Sequence, residues 1–261
     1  MRSDIGATAP SHRDDATRAA TPIVPDPFVY SGGELETLAV ARNYYQWLVG
    51  LLVPHLGEHV LEIGAGVGTL AAAIRVARPK VSLTLAEPAS NNLPILQRRF
   101  ADDARVRIMP GFYAGAAQGA QPMDSVLLIN VLEHVDDTRT LLRSAREALR
   151  PGGRIVLLVP AGGALLFGTL DRAFSHHCRF TPSTLRAVLE ESGFAVRDVR
   201  HLNSLGVVPW FLLGRVFRRR SLTKAAVRAY DALAIPWLSR LERRWTPPFG
   251  QSLLMVAEPR P

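Results

Sequence analysis

One short segment, residues 60–69, constrains the fold of this chain more than any other. It reads as a short apolar strand, then a tight turn, then the start of a helix at Thr69. The turn carries three glycines at alternate positions, Gly64, Gly66 and Gly68. Glycine permits a positive φ and lets the backbone approach a ligand closely. Because the next helix begins there with unpaired N–H groups, the segment predicts a ligand site at the carboxyl end of a parallel sheet.

The rest of the chain alternates between short apolar strands and helices. Strands are predicted at residues 60–63, 81–86, 106–109, 125–129, 155–159, 194–199 and 251–257. Helices are predicted between them at residues 69–77, 91–100, 138–149 and about 182–191. Such alternation indicates a parallel sheet that is covered by helices on both faces. We therefore expect an α/β fold with a doubly wound, seven-stranded, mostly parallel sheet.

Three segments lie outside this alternation. Residues 1–27 are polar and interrupted by prolines, which predicts a flexible tail ahead of one domain at residues 28–261. Within that domain, apolar residues recur at helical spacing over residues 34–52 and predict a first helix. Residues 204–248, approximately, interrupt the strand–helix alternation, and we expect them to form a helical cap.

Composition indicates the cellular compartment of the chain and excludes some kinds of site. No apolar run reaches the roughly 20 residues that span a bilayer, and the first residues do not resemble a secretory signal. Cys178 is the only cysteine, so an internal disulfide is impossible and a multi-cysteine metal site is excluded. We therefore expect a cytoplasmic protein without a metal. The formal net charge is +8, and many of the arginines lie late in the chain. These arginines could bind phosphates or anionic lipid, or they could form an ordinary solvated surface.

Three details distinguish the glycine turn from the common dinucleotide-binding turn. The glycine spacing is G-x-G-x-G and not G-x-G-x-x-G. An acidic residue, Glu62, lies in the strand just before the turn. Another, Glu87, ends the second strand, where a carboxylate can accept hydrogen bonds from both ribose hydroxyls. These details disfavour an oxidoreductase that uses a nicotinamide cofactor.

Five motifs in a fixed order then identify a family. They are residues 60–68, Ala86-Glu87-Pro88, residues 124–126 with 130–135, residues 149–153, and Arg179-Phe180-Thr181-Pro182 leading to Gly193-Phe194. Together they resemble the class I S-adenosylmethionine-dependent methyltransferases, in the branch that resembles ubiquinone-biosynthesis methylases. The resemblance covers about residues 35–203 and implies the Rossmann-like methyltransferase fold, with S-adenosylmethionine as cofactor.

The resemblance also implies a set of cofactor-binding residues. Glu62 would help to hold the methionine amino group, Glu87 the ribose, and the backbone near Asn130 would face the methionine part. The full implied set is Glu62, Gly64, Ala65, Gly66, Gly68, Glu87, Pro88, Gly111, Phe112, Asn130 and Val131. The chain departs from the family after the third strand, where Gly111 and Phe112 replace the usual Gly-Asp pair. Backbone groups, or Met109 or Phe112 packing on the ring, would then hold the adenine.

Histidines are the candidate bases, because imidazole exchanges protons near neutral pH. A hydroxyl or phenol acceptor needs such a base, whereas a carbanion-like or amine acceptor needs none. His134 follows the fourth strand and His177 precedes the Thr181 helix, so we expect both as catalytic residues. His176 is a weaker candidate. The alternative role for His134 is to buttress the loop.

The cap contains an apolar stretch at residues 205–217 that is followed by Arg218, Arg219 and Arg220. It suits a peripheral contact with a lipid surface, a roof over an apolar pocket, or ordinary core. We therefore predict methyl transfer to a small apolar acceptor: a quinol, a phenol, a lipid-like molecule or a secondary metabolite. The alternatives are a methyltransferase acting on RNA or protein, and a catalytically silent cofactor-binding partner protein. Nucleic acid is disfavoured because no RNA-binding module accompanies the charge. The oligomeric state stays open.

Overall fold

A computed structural model describes residues 28–30, 34–113 and 121–260, and the predicted tail at residues 1–27 lies outside the described residues. Seven strands form one sheet in the order β3-β2-β1-β4-β5-β7-β6. All neighbouring strands pair in parallel except β7, which is antiparallel to both β5 and β6. The strands are β1 His59–Ile63, β2 Ser82–Glu87, β3 Val106–Pro110, β4 Met123–Ile129, β5 Leu149–Pro160, β6 Phe194–Leu202 and β7 Ser252–Pro259. The predicted fold class is confirmed.

Helices cover the sheet and continue into the region after β6. They are α1 Glu34–Leu38, α2 Arg42–Leu52, α3 Thr69–Ala77, α4 Leu93–Arg99, α5 Thr138–Ala148, α6 Gly163–Leu166, α7 Thr169–Ala173, α8 Pro182–Glu191, α9 Val207–Phe211, α10 Lys224–Leu233 and α11 Ile235–Arg244. A π-helical segment, Leu212–Val216, continues α9, and a 3₁₀ turn, Leu132–His134, follows β4. Among the described residues, no helix is both long enough and apolar enough to cross a membrane.

The hydrophobic core has two layers because consecutive residues of a strand point to opposite faces of the sheet. Val60 and Leu127 belong to the layer that also buries Leu48 and Leu52 of α2. Leu61 and Val126, one position away on the same strands, belong to the opposite layer. The near-continuous apolar strands of the sequence are therefore explained by burial on both faces.

The predicted first helix, residues 34–52, is wrong in one respect, because it is divided at residues 39–41 into α1 and α2. Ala41 has non-helical φ and ψ values of −82° and 68°. The backbone N–H groups of Asn43 and Tyr44 donate to the Asp231 carboxylate, at 3.1 Å and 2.9 Å. The first N–H groups of a helix have no partner within the helix. At the start of α2 the Asp231 carboxylate, from α10, accepts hydrogen bonds from these groups, so a preceding helical turn is not needed to bond them.

Residues after β6 are attached to the sheet by a second buried carboxylate. Glu242 of α11 accepts hydrogen bonds from the backbone N–H groups of Asn203 and Ser204, both at 2.9 Å. The Ser204 hydroxyl donates to the same carboxylate at 2.7 Å. Through Asp231 and Glu242, helices α10 and α11 are fixed against both α2 and the end of β6. This places the region after β6 above the carboxyl edge of the sheet.

Replacing Asp231 with Asn should destabilise the protein by about 1–3 kcal/mol. The amide keeps one acceptor oxygen but presents an NH₂ group to one of the two backbone donors, which then loses its partner. Urea unfolding followed by circular dichroism measures the change. The control is Asp102→Asn at an exposed position, where we expect a change within about 0.5 kcal/mol. Equal stability of the two variants would refute the capping role of Asp231.

Candidate active site

A cavity of about 950 Å³ opens at the carboxyl edge of the sheet, beside the glycine turn. Its floor comes from the turn and from the ends of β1, β2 and β4. Its walls come from α2, from α9 and from α10. Ligands of open α/β sheets bind at this edge, so the predicted location of the site agrees with the position of the cavity.

The turn after β1 needs glycine for steric reasons. The φ values of Gly64, Gly66 and Gly68 are 75°, 56° and 74°. A Cβ atom on Gly64 would lie 2.6 Å from a methyl carbon of Val131. Gly64, Ala65 and Gly66 line the cavity, whereas Gly68 packs against the α4 side chains and shapes the turn from behind.

The Glu87 carboxylate is held in place by three donors. Its Oε2 accepts from the backbone N–H of Gly66 at 2.7 Å. Its Oε1 accepts from the backbone N–H of Ala89 at 2.9 Å and from the Asn92 amide at 3.2 Å. A carboxylate offers about four lone-pair directions, so Oε2 retains one for a ligand hydroxyl. The residue thus joins the end of β2 to the glycine turn while it faces the cavity.

Glu62 is a buried carboxyl group that lacks a full set of partners. Its Oε2 has no hydrogen-bond partner among the described residues, and it lines the cavity. Burial, reinforced by the nearby Glu87 carboxylate, raises the pKa of Glu62 to about 8. A ligand ammonium group would relieve both effects by supplying a donor and a positive charge. This unsatisfied oxygen fits the methionine amino group of S-adenosylmethionine.

The part of the cavity beside the ends of β2 and β3 is apolar. Phe112 is exposed, lines the cavity and lies against Phe28, with ring centroids 5.5 Å apart. Pro88 and Gly111 also line this end, and the N–H of Gly111 donates to the Glu87 carbonyl at 2.9 Å. Met109, the other candidate for adenine packing, is buried and does not line the cavity. Residues 114–120, which follow, lie outside the described residues.

The turn after β4 has an unusual backbone. Asn130 has a φ of 53°, a left-handed conformation that Asn tolerates better than most residues. Its backbone N–H donates to the Leu158 carbonyl at 2.8 Å, which joins the turn to β5. Asn130 and Val131 both line the cavity next to the glycine turn. The two turns therefore form adjacent walls of the proposed cofactor site.

Three titratable groups converge beyond these turns. Glu133 and His134 come from the 3₁₀ turn, and His176 comes from the loop after α7. One oxygen or nitrogen atom from each lies within 4.8 Å of the others, and all three residues line the cavity. One carboxylate and two imidazoles form a donor set that can hold a divalent cation or relay a proton. The sequence does not reveal this set, because His176 lies far along the chain from Glu133 and His134.

His134 is held as a neutral imidazole. Its Nδ1 lies 3.2 Å from the Ser175 carbonyl, which can only accept, so Nδ1 carries the proton. Burial and the neighbouring His176 lower the pKa of His134 to about 4. Its Nε2 is therefore a hydrogen-bond acceptor at neutral pH. A group with so low a pKa is a weak base.

His176 is paired with a buried carboxylate. Its Nδ1 lies 3.0 Å from Oδ1 of Asp171, whose side chain is fully buried. Burial alone would raise the pKa of Asp171, but hydrogen bonds from His176 and the charge of Arg179 outweigh it, so the pKa lies below its ordinary value. The carboxylate is thus ionised and fixes a proton on Nδ1. The Nε2 of His176 is the ring nitrogen that points away from Asp171.

Glu133 has no such partners. Its side chain is fully buried, and neither carboxyl oxygen has a hydrogen-bond partner in the described part of the chain. Burial raises the pKa of Glu133 to about 8, although Arg179 opposes the shift. The group is therefore mostly protonated at neutral pH, and a cationic group of a ligand would favour its ionised form.

His177, which the sequence suggested as a base, is not brought to the cavity. Its ring is about half exposed, and Nδ1 lies 2.9 Å from the carboxylate of Asp136 on the surface. Its backbone N–H donates to the Glu133 carbonyl at 2.7 Å. The loop therefore directs the adjacent His176, and not His177, into the site.

The raised pKa values of Glu62 and Glu133 predict how the stability of the protein depends on pH. Between about pH 4.5 and pH 8, Glu62 is protonated in the folded protein and ionised in the unfolded chain. The unfolded chain therefore binds fewer protons, and stability falls as the pH rises through this window. Glu62→Gln removes that contribution, so the loss of stability from pH 5 to pH 8 should be smaller. Urea unfolding at both pH values measures it, with exposed Glu58→Gln as the control.

Comparison with known proteins gives a consistent result. A methyltransferase domain model matches residues 40–199. The chain is 29% identical over 162 residues to the ubiquinone biosynthesis O-methyltransferase of Azorhizobium caulinodans, covering 57% of this chain and 63% of that relative. A protein of the same description from Methylobacterium is 29% identical over 176 residues, covering 62% of this chain and 68% of that protein.

The first of these matches spans less than two thirds of the relative's own length. Among solved structures, the CcbJ methyltransferase from Streptomyces caelestis shares the fold, with a TM-score of 0.53 and 16% identity. That superposition covers 83% of this chain and 90% of that one.

Proposed function

The chain belongs to the methyltransferase domain family, with S-adenosylmethionine as its cofactor, and we propose that it methylates a hydroxyl group of a small, largely apolar acceptor. One observation carries this proposal. The Asp171–His176 pair presents a free imidazole nitrogen to a cavity whose other end is the glycine turn. A hydroxyl acceptor needs a base at this place, whereas an amine acceptor does not.

The cofactor end of the cavity is assigned to the residues around β1 and β2. Glu62 would hold the methionine amino group, and the free lone pair of Glu87 would accept a ribose hydroxyl. Asn130 and Val131 would contact the methionine part, and Phe112 and Pro88 would pack on the adenine. When bound, S-adenosylmethionine supplies a methyl group that its sulfonium already activates. The protein then contributes chiefly by alignment and by exclusion of water, and alignment is worth roughly 7–11 kcal/mol in favourable cases.

The acceptor end is assigned to His176 and its neighbours. The Nε2 of His176 would take the hydroxyl proton, and the Asp171 carboxylate would stabilise the imidazolium that forms. The neutral His134 would accept a hydrogen bond from the acceptor and so help to orient it. Glu133, protonated at neutral pH, would donate a hydrogen bond to a second oxygen of the acceptor.

The apolar character of the acceptor is inferred from the walls of the cavity. The side chains that face it from α1, α2 and the region after β6 are mainly hydrophobic: Leu35, Leu38, Leu48, Pro209, Trp210, Leu213, Leu222, Val227 and Ile235. Apolar lining with a few convergent polar groups is typical of small-molecule sites. A quinol, a phenol or a lipid-like alcohol would match this combination, and helices over the opening disfavour a folded RNA or protein as acceptor.

Glu87→Gln should weaken the binding of S-adenosylhomocysteine by roughly tenfold or more. The amide replaces one carboxylate oxygen with an NH₂ group and removes a charge-assisted hydrogen bond, which is worth about 1.5–3 kcal/mol. Calorimetric titration of wild type, Glu87→Gln and the exposed control Glu58→Gln measures the effect. Tighter binding of NAD than of S-adenosylhomocysteine by the wild type would overturn the assignment.

His176→Gln should lower the rate of methyl transfer by about 10²–10⁴-fold, while S-adenosylhomocysteine affinity stays unchanged. The assay follows label from S-adenosylmethionine into a panel of quinols, phenols and lipid-like alcohols. His177→Gln is the matched control, because this histidine lies outside the cavity. If both variants retain the wild-type rate, His176 is not the base. Loss of wild-type activity in a chelator, reversed by a divalent cation, would instead assign the Glu133, His134 and His176 cluster to a metal.

A further inference from the structure

The helix formed by α9 and the π-helical segment has an apolar outer surface. Val208, Phe211, Leu212, Val216 and Phe217, here called the ridge, are all exposed, and Val216 and Phe217 are 54% and 64% exposed. Phe211 and Leu212 follow Val208 by three and four residues, and Val216 follows Leu212 by four, which places these residues along one side of the helix, with Phe217 next in the chain. Single exposed apolar residues are common on proteins, but a continuous row marks a contact surface.

The inner surface of the same helix belongs to the acceptor end of the cavity. Pro209, Trp210 and Leu213 line the cavity. The ring of Trp210 lies 4.6 Å from the Arg179 guanidinium, and its Nε1 donates to Asp171 at 3.3 Å. One helix thus separates the ridge outside from the groups that hold His176 inside.

Three consecutive arginines, Arg218, Arg219 and Arg220, follow the ridge directly and are exposed. In the part of the chain that the structure describes, none of them forms an ion pair with a carboxylate. Their backbone is nevertheless fixed, because the N–H of Arg219 donates to the Leu213 carbonyl at 2.8 Å and the Thr169 hydroxyl donates to the Arg219 carbonyl. The run is therefore a positioned cationic surface.

We propose that the ridge and the three arginines form a docking surface for an anionic lipid bilayer. The apolar side chains would enter the acyl boundary while the guanidinium groups contact phosphate headgroups. Docking places the acceptor end of the cavity next to the bilayer, so a lipid-like acceptor reaches His176 without crossing water. This second step rests on the proposed function, whereas docking itself does not.

Two other occupants fit the surface less well. Single-stranded nucleic acid would match the arginines, but it is bound by aromatic platforms on which bases stack. The ridge is mostly aliphatic, with Val208, Leu212 and Val216 beside its two phenylalanines. A second copy of this chain would bring identical arginine runs towards each other, which is unfavourable for two like-charged surfaces. An anionic bilayer is complementary both to the apolar ridge and to the three arginines.

The test is co-sedimentation of the full chain with phosphatidylcholine vesicles that contain or lack phosphatidylglycerol. Wild type should bind the anionic vesicles only, and more weakly at high salt. The triple variant Arg218→Glu/Arg219→Glu/Arg220→Glu should lose roughly tenfold or more in affinity, since each arginine near such a surface is worth roughly fivefold. Val216→Ser/Phe217→Ser should also weaken binding while it keeps the charge.

The matched control is Arg240→Glu/Arg243→Glu/Arg244→Glu on α11, which changes the net charge equally at another surface. It should bind anionic vesicles like the wild type, and an equal loss would refute docking through the ridge. No vesicle binding by the wild type also overturns the proposal. So does a ridge variant that changes only the oligomeric state, or tighter binding of single-stranded RNA than of vesicles. Calorimetry with S-adenosylhomocysteine on every variant reports the cofactor site separately, so failure of docking is distinguishable from failure of the methyltransferase assignment.

Discussion

The acceptor end of this protein depends on one buried carboxylate, that of Asp171. It accepts from His176 at 3.0 Å, from Arg179 at 2.7 Å, from the backbone N–H of Gly168 at 2.8 Å and from Trp210 at 3.3 Å. A buried charge is tolerated only when it is paired and hydrogen-bonded, because desolvation costs several kcal/mol per ion. The four donors come from the residue just before α7, from the loop after α7 and from α9. Because all four donors bond to the same carboxylate, Asp171 fixes the relative positions of the segments that carry them.

The two other buried carboxyl groups of the cavity are in the opposite situation. Glu62 and Glu133 lack partners for some or all of their oxygens, and their pKa values are raised to about 8. Such groups reduce the stability of the folded protein at neutral pH. Both line the same cavity, where a ligand can supply the missing charge or donor. Strongly perturbed carboxyl groups of this kind are more common at functional sites than elsewhere.

The sequence predicts the sheet and the glycine turn because both are encoded locally, in apolar runs and in glycines that need a positive φ. It does not predict which of the adjacent histidines, His176 or His177, enters the cavity, because contacts with Asp171 and Asp136 decide this. The division between α1 and α2 was missed for the same reason. Its cause is Asp231, a residue far along the chain. Motif spacing therefore predicts where the cavity lies, and tertiary hydrogen bonds determine which side chains line it.

The position of α9 connects the outer surface of the protein to this chemistry. The Thr169 hydroxyl, at the start of α7, shares its single proton between the Arg219 carbonyl and, at 3.0 Å, the Gly214 carbonyl. A Cβ atom on Gly168 would lie 2.7 Å from that same carbonyl, so the two elements are in close backbone contact. Because α7 also carries Asp171, the π-helical segment cannot shift far without disturbing the carboxylate that orients His176. A displacement of this helix would therefore reach the proposed base through direct contacts with Asp171.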